Sequence, residues 1–548
     1  MDKKNAPLGI VIRGSLAEGI RMKLAEDRSV EDIRAGRFAV VDGRRYRFFS
    51  MITDVSLEAV NDQMLMYPPA DEGSLERQVL EGVGVWGSVE IKPMLMLPLD
   101  GSTEFREEDL LPVKSIPSHF SQVYDADRDD ISRVFGSEKQ QGFFEIGVPL
   151  DMDDTPICLN LNRFIERSNG IFGKSGTGKT FLTRICLCGI IKQQKAVNLI
   201  FDMHSEYGWA GTVEGGLRKG VRGLKQFFNS QVEVFTLDPE SSLARGANAD
   251  QTVRIPYSQL TVEDIILLQR ELNLTSTAPE TAYMLVEQFG DRWIKSLLDM
   301  DSESIKDFCD QYGAHPGAIS ALKRKISTLI SNCKGFLVES IPPQDDAVVL
   351  IMNRLQRGVH VVLEFGNFRK PVQYMLVANI LTRRIHEAYV TQKEQAIGNR
   401  GPEPKPLVIT IEEAHKFLSP ALADQTIFGT IAREMRKYNV TLLIVDQRPS
   451  GIDDEVLSQV GTKLICLLDD ERDMNAVLTG TPNAAGLRGV LASLDTRQQA
   501  LILGHAVPMP AVIRTRTYDD EPFCLAMSDR ETPKSIEELE KDIEQDFN

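Results

Sequence analysis

The sequence predicts an α/β protein: a mostly parallel sheet, a small β domain ahead of it and an all-helical insertion within it. Three observations carry this. From about residue 160, short apolar runs alternate with segments of helical periodicity. Among them stands a complete phosphate-binding pattern, G-x-x-x-x-G-K-S/T, at residues 173–180. Residues 1–115 read instead as short strands broken by Gly, Pro and Asp, without helical periodicity.

A chain of 548 residues is too long for one ordinary domain, and its 42% hydrophobic and 26% charged content is that of a globular protein. No apolar run approaches the roughly 18 residues that span a bilayer, and residues 1–9 lack an apolar signal core. Seven scattered cysteines without metal-ligand spacing fit a reducing compartment. These features predict a cytoplasmic protein with no membrane partner. Cys186 and Cys188 fall in an apolar helical stretch and are expected in the core. The net charge of −17 excludes a protein that coats nucleic acid over a broad basic face. It leaves open one that grips nucleic acid in a narrow channel, where a few local cations suffice.

In the first 115 residues, runs at 37–41 and 44–48 flank Asp42 and Gly43, a two-residue hairpin signal. Further apolar runs at 9–13 and 89–97 complete the expectation of a small β-barrel. The core, residues 116–258 and 341–518, carries strands expected at 170–172, 196–201, 232–236, 360–364, 407–411, 441–445, 463–467 and 499–503. These runs are apolar throughout, as strands covered on both faces must be. At 259–340 the strand signals stop. Thr261 is placed to cap a helix with Glu263 and Asp264 in its first turn, so the segment is expected to be all-helical. Residues 519–548 read as an acidic, peripheral tail with an amphipathic segment at 536–547.

The phosphate pattern comprises Gly173, Lys174, Ser175, Gly176, Thr177, Gly178, Lys179 and Thr180, after an apolar strand and before a helix that opens with Phe181. Glycines let the backbone wrap the phosphates, whose charge the amides and the helix N-terminus stabilise. Lys179 is expected to reach the β- and γ-phosphates of ATP, and Thr180 to ligate Mg2+. A second apolar strand, 407–411, ends in Glu412 and Glu413. Glu412 is expected to hold Mg2+ through water, and Glu413 to orient or deprotonate the attacking water. The strands expected at 196–201 and 360–364 are among those that fall between these motifs. That order, with a catalytic Glu, marks the RecA-like branch of P-loop ATPases.

The next strand ends in Asp446, Gln447, Arg448 and Pro449, and Gln447 at that edge is the candidate sensor of the γ-phosphate. Arg433 and Arg436 lie just before it on neighbouring helix turns. Arg436, with Arg433 the alternative, is the candidate cation that completes a site across a subunit boundary; a solvated face is the other reading. Asp202, His204 and Glu206 lack the further ligands of a zinc site and are read as nucleotide-edge or subunit-contact residues. His415 reads as a helix-start hydrogen-bonder. Arg218, Lys219, Arg222 and Lys225, interleaved with four glycines at 215–225, are candidate DNA contacts or a solvated loop, with Lys323, Arg324 and Lys325 the next candidates.

With these residues placed, the chain resembles the HerA family of hexameric DNA translocases, relatives of FtsK. The resemblance rests on R-S-N-G-I-F-G-K-S-G-T-G-K-T (167–180), I-F-D-M-H-S-E-Y-G (200–208), V-I-T-I-E-E-A-H (408–415), A-R-E-M-R-K-Y-N-V (432–440), D-Q-R-P-S (446–450) and L-S-Q-V-G-T-K (457–463). It implies a hexameric ring with ATP at subunit boundaries and DNA in the central channel. Arg167 resembles a family arginine near the site, and Arg436 the finger position. H-S-E-Y at 204–207 departs from the family, which usually has Gly before Glu. Family members work with a nuclease, typically NurA, in end resection, or sit beside sirtuin-like or nuclease effectors in antiphage operons. The barrel would be the docking surface. Two functions follow: an ATP-driven translocase that feeds or activates an effector, and an ATPase scaffold ring that switches one without substantial translocation. A conjugation or secretion ATPase is a third.

Overall fold

A computed structural model describes residues 6–61, 65–66, 77, 84–99, 107–210, 220–423, 427–481, 484–496 and 498–528. It forms two compact units. One comprises the described residues up to Leu182 with Val445–Arg516, the other Thr183–Ile444 with the described residues from Thr517 on.

The first unit opens with an antiparallel barrel of β1 (Gly9–Ser15), β2 (Gly19–Leu24), β3 (Phe38–Asp42), β4 (Tyr46–Ala59), β5 (Val85–Pro98), β6 (Leu111–Pro112) and β7 (Gln122–Asp125). The order is β2-β1-β7-β3-β4-β5, β5 returns to pair with β2, and β6 is appended to β5. Closure removes the exposed strand edges that an open sheet would present. Alternate residues such as Met22, Val41, Phe48, Ile52, Val89 and Ile91 fill the interior. Two details differ from expectation. The barrel runs past residue 115, because β7 is wedged between β1 and β3. The hairpin turn is Arg44 and Arg45: Asp42 pairs with Arg47, and the Gly43 amide donates to the Tyr46 carbonyl at 3.0 Å. Gly43 serves close approach, since a Cβ there would lie 2.7 Å from the Tyr46 oxygen.

The barrel is fixed to the helix Arg128–Phe135. Phe38, Phe49 and Phe135 cluster with ring centroids 5.3–6.4 Å apart, and Arg47 Nη1 meets Asp130 Oδ1 at 2.7 Å. Beyond that helix, the phosphate-loop strand Asn169–Phe172 pairs in parallel with Thr462–Ile465. The flank after it, Gln499–Gly504, Ala511–Thr515, Phe143–Pro149 and Ile157–Asn160, is antiparallel throughout.

The second unit is built on parallel strands in the order Gln251–Thr252, Val232–Thr236, His360–Glu364, Val197–Asp202 and Leu407–Glu412. The last three are buried at every residue, which is why their sequences are apolar runs rather than alternations. The expected helical insertion is present as helices between Val262 and Asn332, closed at its base by a parallel pairing of Ile255–Pro256 with Leu337–Val338. Thr261 and Asp264 form a capping box. Asp264, fully buried, also accepts from Asn379 Nδ2 at 2.7 Å and Arg383 Nη2 at 2.8 Å, tying the insertion to the long helix Pro371–Ile397.

The C-terminal segment is less peripheral than its acidity suggests. Phe523, in the helix Glu521–Met527, is fully buried against Phe227 and Tyr518. The amphipathic segment at 536–547 lies outside the described residues. Cys186 and Cys188 are in the core as expected. Among the described residues no helix is long and apolar enough to cross a membrane.

Candidate nucleotide site

The phosphate loop belongs to the first unit and the acidic strand to the second. In the loop, Gly173, Gly176 and Gly178 have φ of 155°, 77° and 99°. L side chains rarely adopt these values, so the glycines let the chain turn its amides inward. The loop is tied down by its neighbours. The Gly173 amide donates to the Asp446 carbonyl at 3.3 Å, and the Lys174 amide to the Leu467 carbonyl at 3.0 Å. The Lys174 carbonyl accepts from Thr177 Oγ1 at 2.7 Å and from Lys179 Nζ at 2.8 Å. Lys179 therefore holds its ammonium in the loop's own curve, while the Lys174 ammonium is ion-paired with Asp469 outside it. Thr180 and Phe181 are half-buried in the first turn of the helix Lys179–Lys192. Gln447 directly follows Asp446, whose carbonyl takes the Gly173 amide.

Arg167 lies at the other end of the loop's strand. It precedes the strand whose far end leads into the loop, about 20 Å from Gly173 at the rise of an extended chain. Its side chain packs against Gly461, where a Cβ would lie 2.7 Å from the Arg167 Cβ.

In the second unit three carboxylates stand in a row at the C-terminal ends of adjacent parallel strands, where ligands of such sheets bind. They are Glu364, Asp202 and Glu412; Asp202 pairs in register with Glu364, and Phe201 with Ile411 beside Glu412. Asp202 is fully buried and accepts the amides of Glu206 and Tyr207, each at 2.8 Å. It thus organises the turn at 203–207, and among the described residues no group of three or more His, Cys, Asp or Glu is arranged to hold a metal. Glu364, 1% exposed, accepts from Arg245 Nη2 at 2.7 Å and Ser242 Oγ at 3.1 Å. Burial, with Asp202 adding, pushes its carboxyl up to about 7. Glu412 accepts from the Tyr207 hydroxyl at 2.9 Å on Oε1, while its Oε2 is buried without a hydrogen-bond partner among the described residues. Burial first, then Asp202 and Glu206, drives its carboxyl well above the usual range. Glu413 follows at φ 50°, a left-handed conformation costly for a residue with a Cβ, and such strain concentrates at working sites. Its carboxylate lies 3.9 Å from His415 Nδ1, in the first turn of the helix His415–Leu418.

The helix Ile427–Glu434 carries Arg433, which is half-buried. Arg436 is exposed in the tighter turn Met435–Tyr438 that follows, so the two do not share one α-helix.

Of the candidate DNA cations, Arg218 and Lys219 lie outside the described residues. The other two are occupied. Arg222 Nε meets Asp519 Oδ1 at 2.7 Å, and Lys225 Nζ meets Asp250 Oδ1 at 2.9 Å. A basic segment in sequence is therefore, in its described part, a neutralised one. Lys323 also donates to the Met300 carbonyl, within the insertion.

Sequence reasoning named neither Tyr207 nor Glu364 as a site residue. The I-F-D-M-H-S-E-Y-G match flagged the first, and a lone acid ending an apolar strand was the available signal for the second.

A family model described as helicase HerA, central domain, matches residues 144–385. The DNA double-strand break repair helicase HerA of Pyrococcus furiosus is 24% identical over 433 residues, covering 75% of this chain and 76% of that protein. The "Probable DNA double-strand break repair helicase HerA" of Methanocaldococcus jannaschii is 33% identical over 405 residues, covering 68% of this chain and 76% of that protein. Among solved structures, VirB4 of Thermoanaerobacter pseudethanolicus is similar with a TM-score of 0.46 at 14% identity, covering 70% of this chain and 99% of that one.

Proposed function

Because the chain belongs to the HerA helicase family, we propose that it is an ATP-driven DNA translocase that works as a hexameric ring with a nuclease or other effector. The setting would be DNA end processing or antiphage defence, the partner NurA-like or sirtuin-like, and the barrel its docking surface.

The observation that carries the reading is the phosphate loop, with three glycines in left-handed backbone and Lys179 folded into its curve. Such a loop presents amides and one ammonium to the ATP phosphates. Mg2+ bound with ATP would neutralise charge on the phosphate oxygens, held by Thr180 and, through water, by Glu412. The donor set fits it: Glu412 offers a buried oxygen without a partner among the described residues, and its neighbouring carboxylates favour a cation there. Glu413 orients the attacking water or takes its proton, and Gln447 senses the γ-phosphate. Arg436, exposed on its turn, supplies positive charge across a subunit boundary, with Arg433 the alternative. Arg167, just before the strand that leads into the loop, is the arginine near the site.

The scaffold reading has one observation in its favour. The two described cations of the first candidate segment, Arg222 and Lys225, are paired with carboxylates, in a chain of net charge −17. Arg218 and Lys219 then remain as the first candidates for the grip, with Lys323, Arg324 and Lys325 next.

The test measures Mg-ATP binding, ATPase and movement along blocked duplex DNA together. Lys179→Ala should weaken Mg-ATP binding at least about tenfold, and Glu413→Gln should preserve binding while lowering kcat by about a hundredfold or more. Arg218→Ala with Lys219→Ala should reduce DNA affinity for all sequences alike and make its salt dependence shallower, with basal ATPase retained. Near-normal turnover in Glu413→Gln would remove that residue from catalysis. Effector-stimulated ATPase without movement on DNA would select the scaffold.

A further inference from the structure

The turn at 203–207 has no part in the reading above, although its sequence is among the segments shared with the family. It is held at several points. The Asp202 carboxylate takes the amides of Glu206 and Tyr207, Arg184 donates to the Glu206 carbonyl, and Ser205 sits at φ 58°. What this framework delivers is one side chain. Tyr207 is fully buried, and its hydroxyl donates to Glu412 Oε1 at 2.9 Å.

We propose that Tyr207 is a positioning residue for Glu412, holding one carboxylate oxygen so that the other faces the water shell of the nucleotide's divalent cation. The inference rests on the assignment of Glu412 to Mg2+. Its physical basis is the asymmetry of that carboxylate: Oε1 has the tyrosine, and Oε2 is buried with no hydrogen-bond partner among the described residues. A glutamate side chain has three rotatable bonds, and a buried one without a partner on either oxygen would have no hydrogen bond to select its orientation. Packing alone does not call for the hydroxyl. A phenylalanine would fill the same space, yet a buried tyrosine hydroxyl needs a partner, and here the partner is the acid itself. The donor is neutral, so it orients Glu412 without offsetting the charge a cation would use, as an arginine would. Asp202 acts one step further out, through the backbone of the turn.

Calorimetric titration of the full chain with adenylyl imidodiphosphate, in Mg2+ and in a chelator, tests this. Wild type should bind the analogue more tightly with Mg2+, and absence of any Mg2+ advantage in wild type would sink the Glu412 assignment itself. Tyr207→Phe should bind as wild type in the chelator but lose about tenfold in the Mg2+ advantage, with a higher Mg2+ concentration needed for half-maximal ATPase. In a Glu412→Gln background the same substitution should have no further effect, because the pathway runs through that carboxylate. An unchanged Mg2+ advantage, an additive effect in the double variant, or a Tyr207→Phe chain that does not fold would each make the hydroxyl structural and overturn the proposal.

Discussion

At the scale of single residues, Glu364 makes the electrostatics of the second unit measurable. Its carboxyl sits at about 7 against an ordinary 4.5, because burial outweighs the help of Arg245 and Ser242. Between those values the folded state holds a proton that the unfolded chain has released. Stability contributed by this group is therefore full below about pH 4.5 and falls as pH rises towards about 7. The span corresponds to a loss on the order of 3 kcal/mol. Glu364→Gln keeps acceptor and donor geometry for Arg245 and Ser242 but cannot titrate. Urea unfolding at about pH 5 and about pH 7.5 should show a steeper decline in wild type than in the variant. Equal slopes would mean that Arg245 keeps Glu364 ionised throughout. Arg222 and Lys225 looked available because their partners, Asp519 and Asp250, are remote or unremarkable in sequence.

Elements were legible where a local pattern decides them. The apolar runs at 196–201, 360–364 and 407–411 are strands because both faces are covered, and the phosphate pattern sits where strand gives way to helix. β7 was missed because four residues, Gln-Val-Tyr-Asp, carry too little alternation to announce a strand. The loop itself allows a comparison of two glycines. At Gly173 an added Cβ would meet the Cys466 Cβ at 2.7 Å and Thr177 Oγ1 at 2.9 Å, at φ 155°. At Gly178 it would meet nothing within 4 Å, and only the φ of 99° resists substitution. Gly178→Ala should thus cost the backbone penalty of about 1–2 kcal/mol, whereas Gly173→Ala adds a clash against a buried wall. Thermal melts and ATP-analogue titrations of both should rank Gly173→Ala as clearly worse. Equal effects would show that the wall behind the loop, Cys466, yields freely.

For the whole molecule the proposed ring makes a prediction no monomer could. If Arg436 completes a neighbour's site, Arg436→Ala should leave nucleotide binding nearly intact and impair turnover. Mixing Arg436→Ala with Glu413→Gln protomers, under conditions where subunits exchange, should create boundaries that hold both intact groups. ATPase of the mixture should then exceed that of either parent. Exchange demonstrated by mass, with no gain in rate, would return Arg436 to a solvated face and bring Arg433 forward.

The P-loop ATPase, its β domain, its helical insertion and the acid pair Glu412 and Glu413 are legible in the chain before it folds. Each of these is written in neighbouring residues, as a period, a glycine spacing or a strand's last two positions. Only the tertiary structure decided what those residues face. β5 returning to β2 closes the barrel, and the strand Asn169–Phe172 separates Arg167 from its own loop. Tyr207 meets Glu412 across 205 residues, and Asp519 takes the Arg222 amide across 297. The reason is physical: backbone conformation responds to local chemistry, whereas a buried hydroxyl or a cation is defined by the partner that folding brings to it.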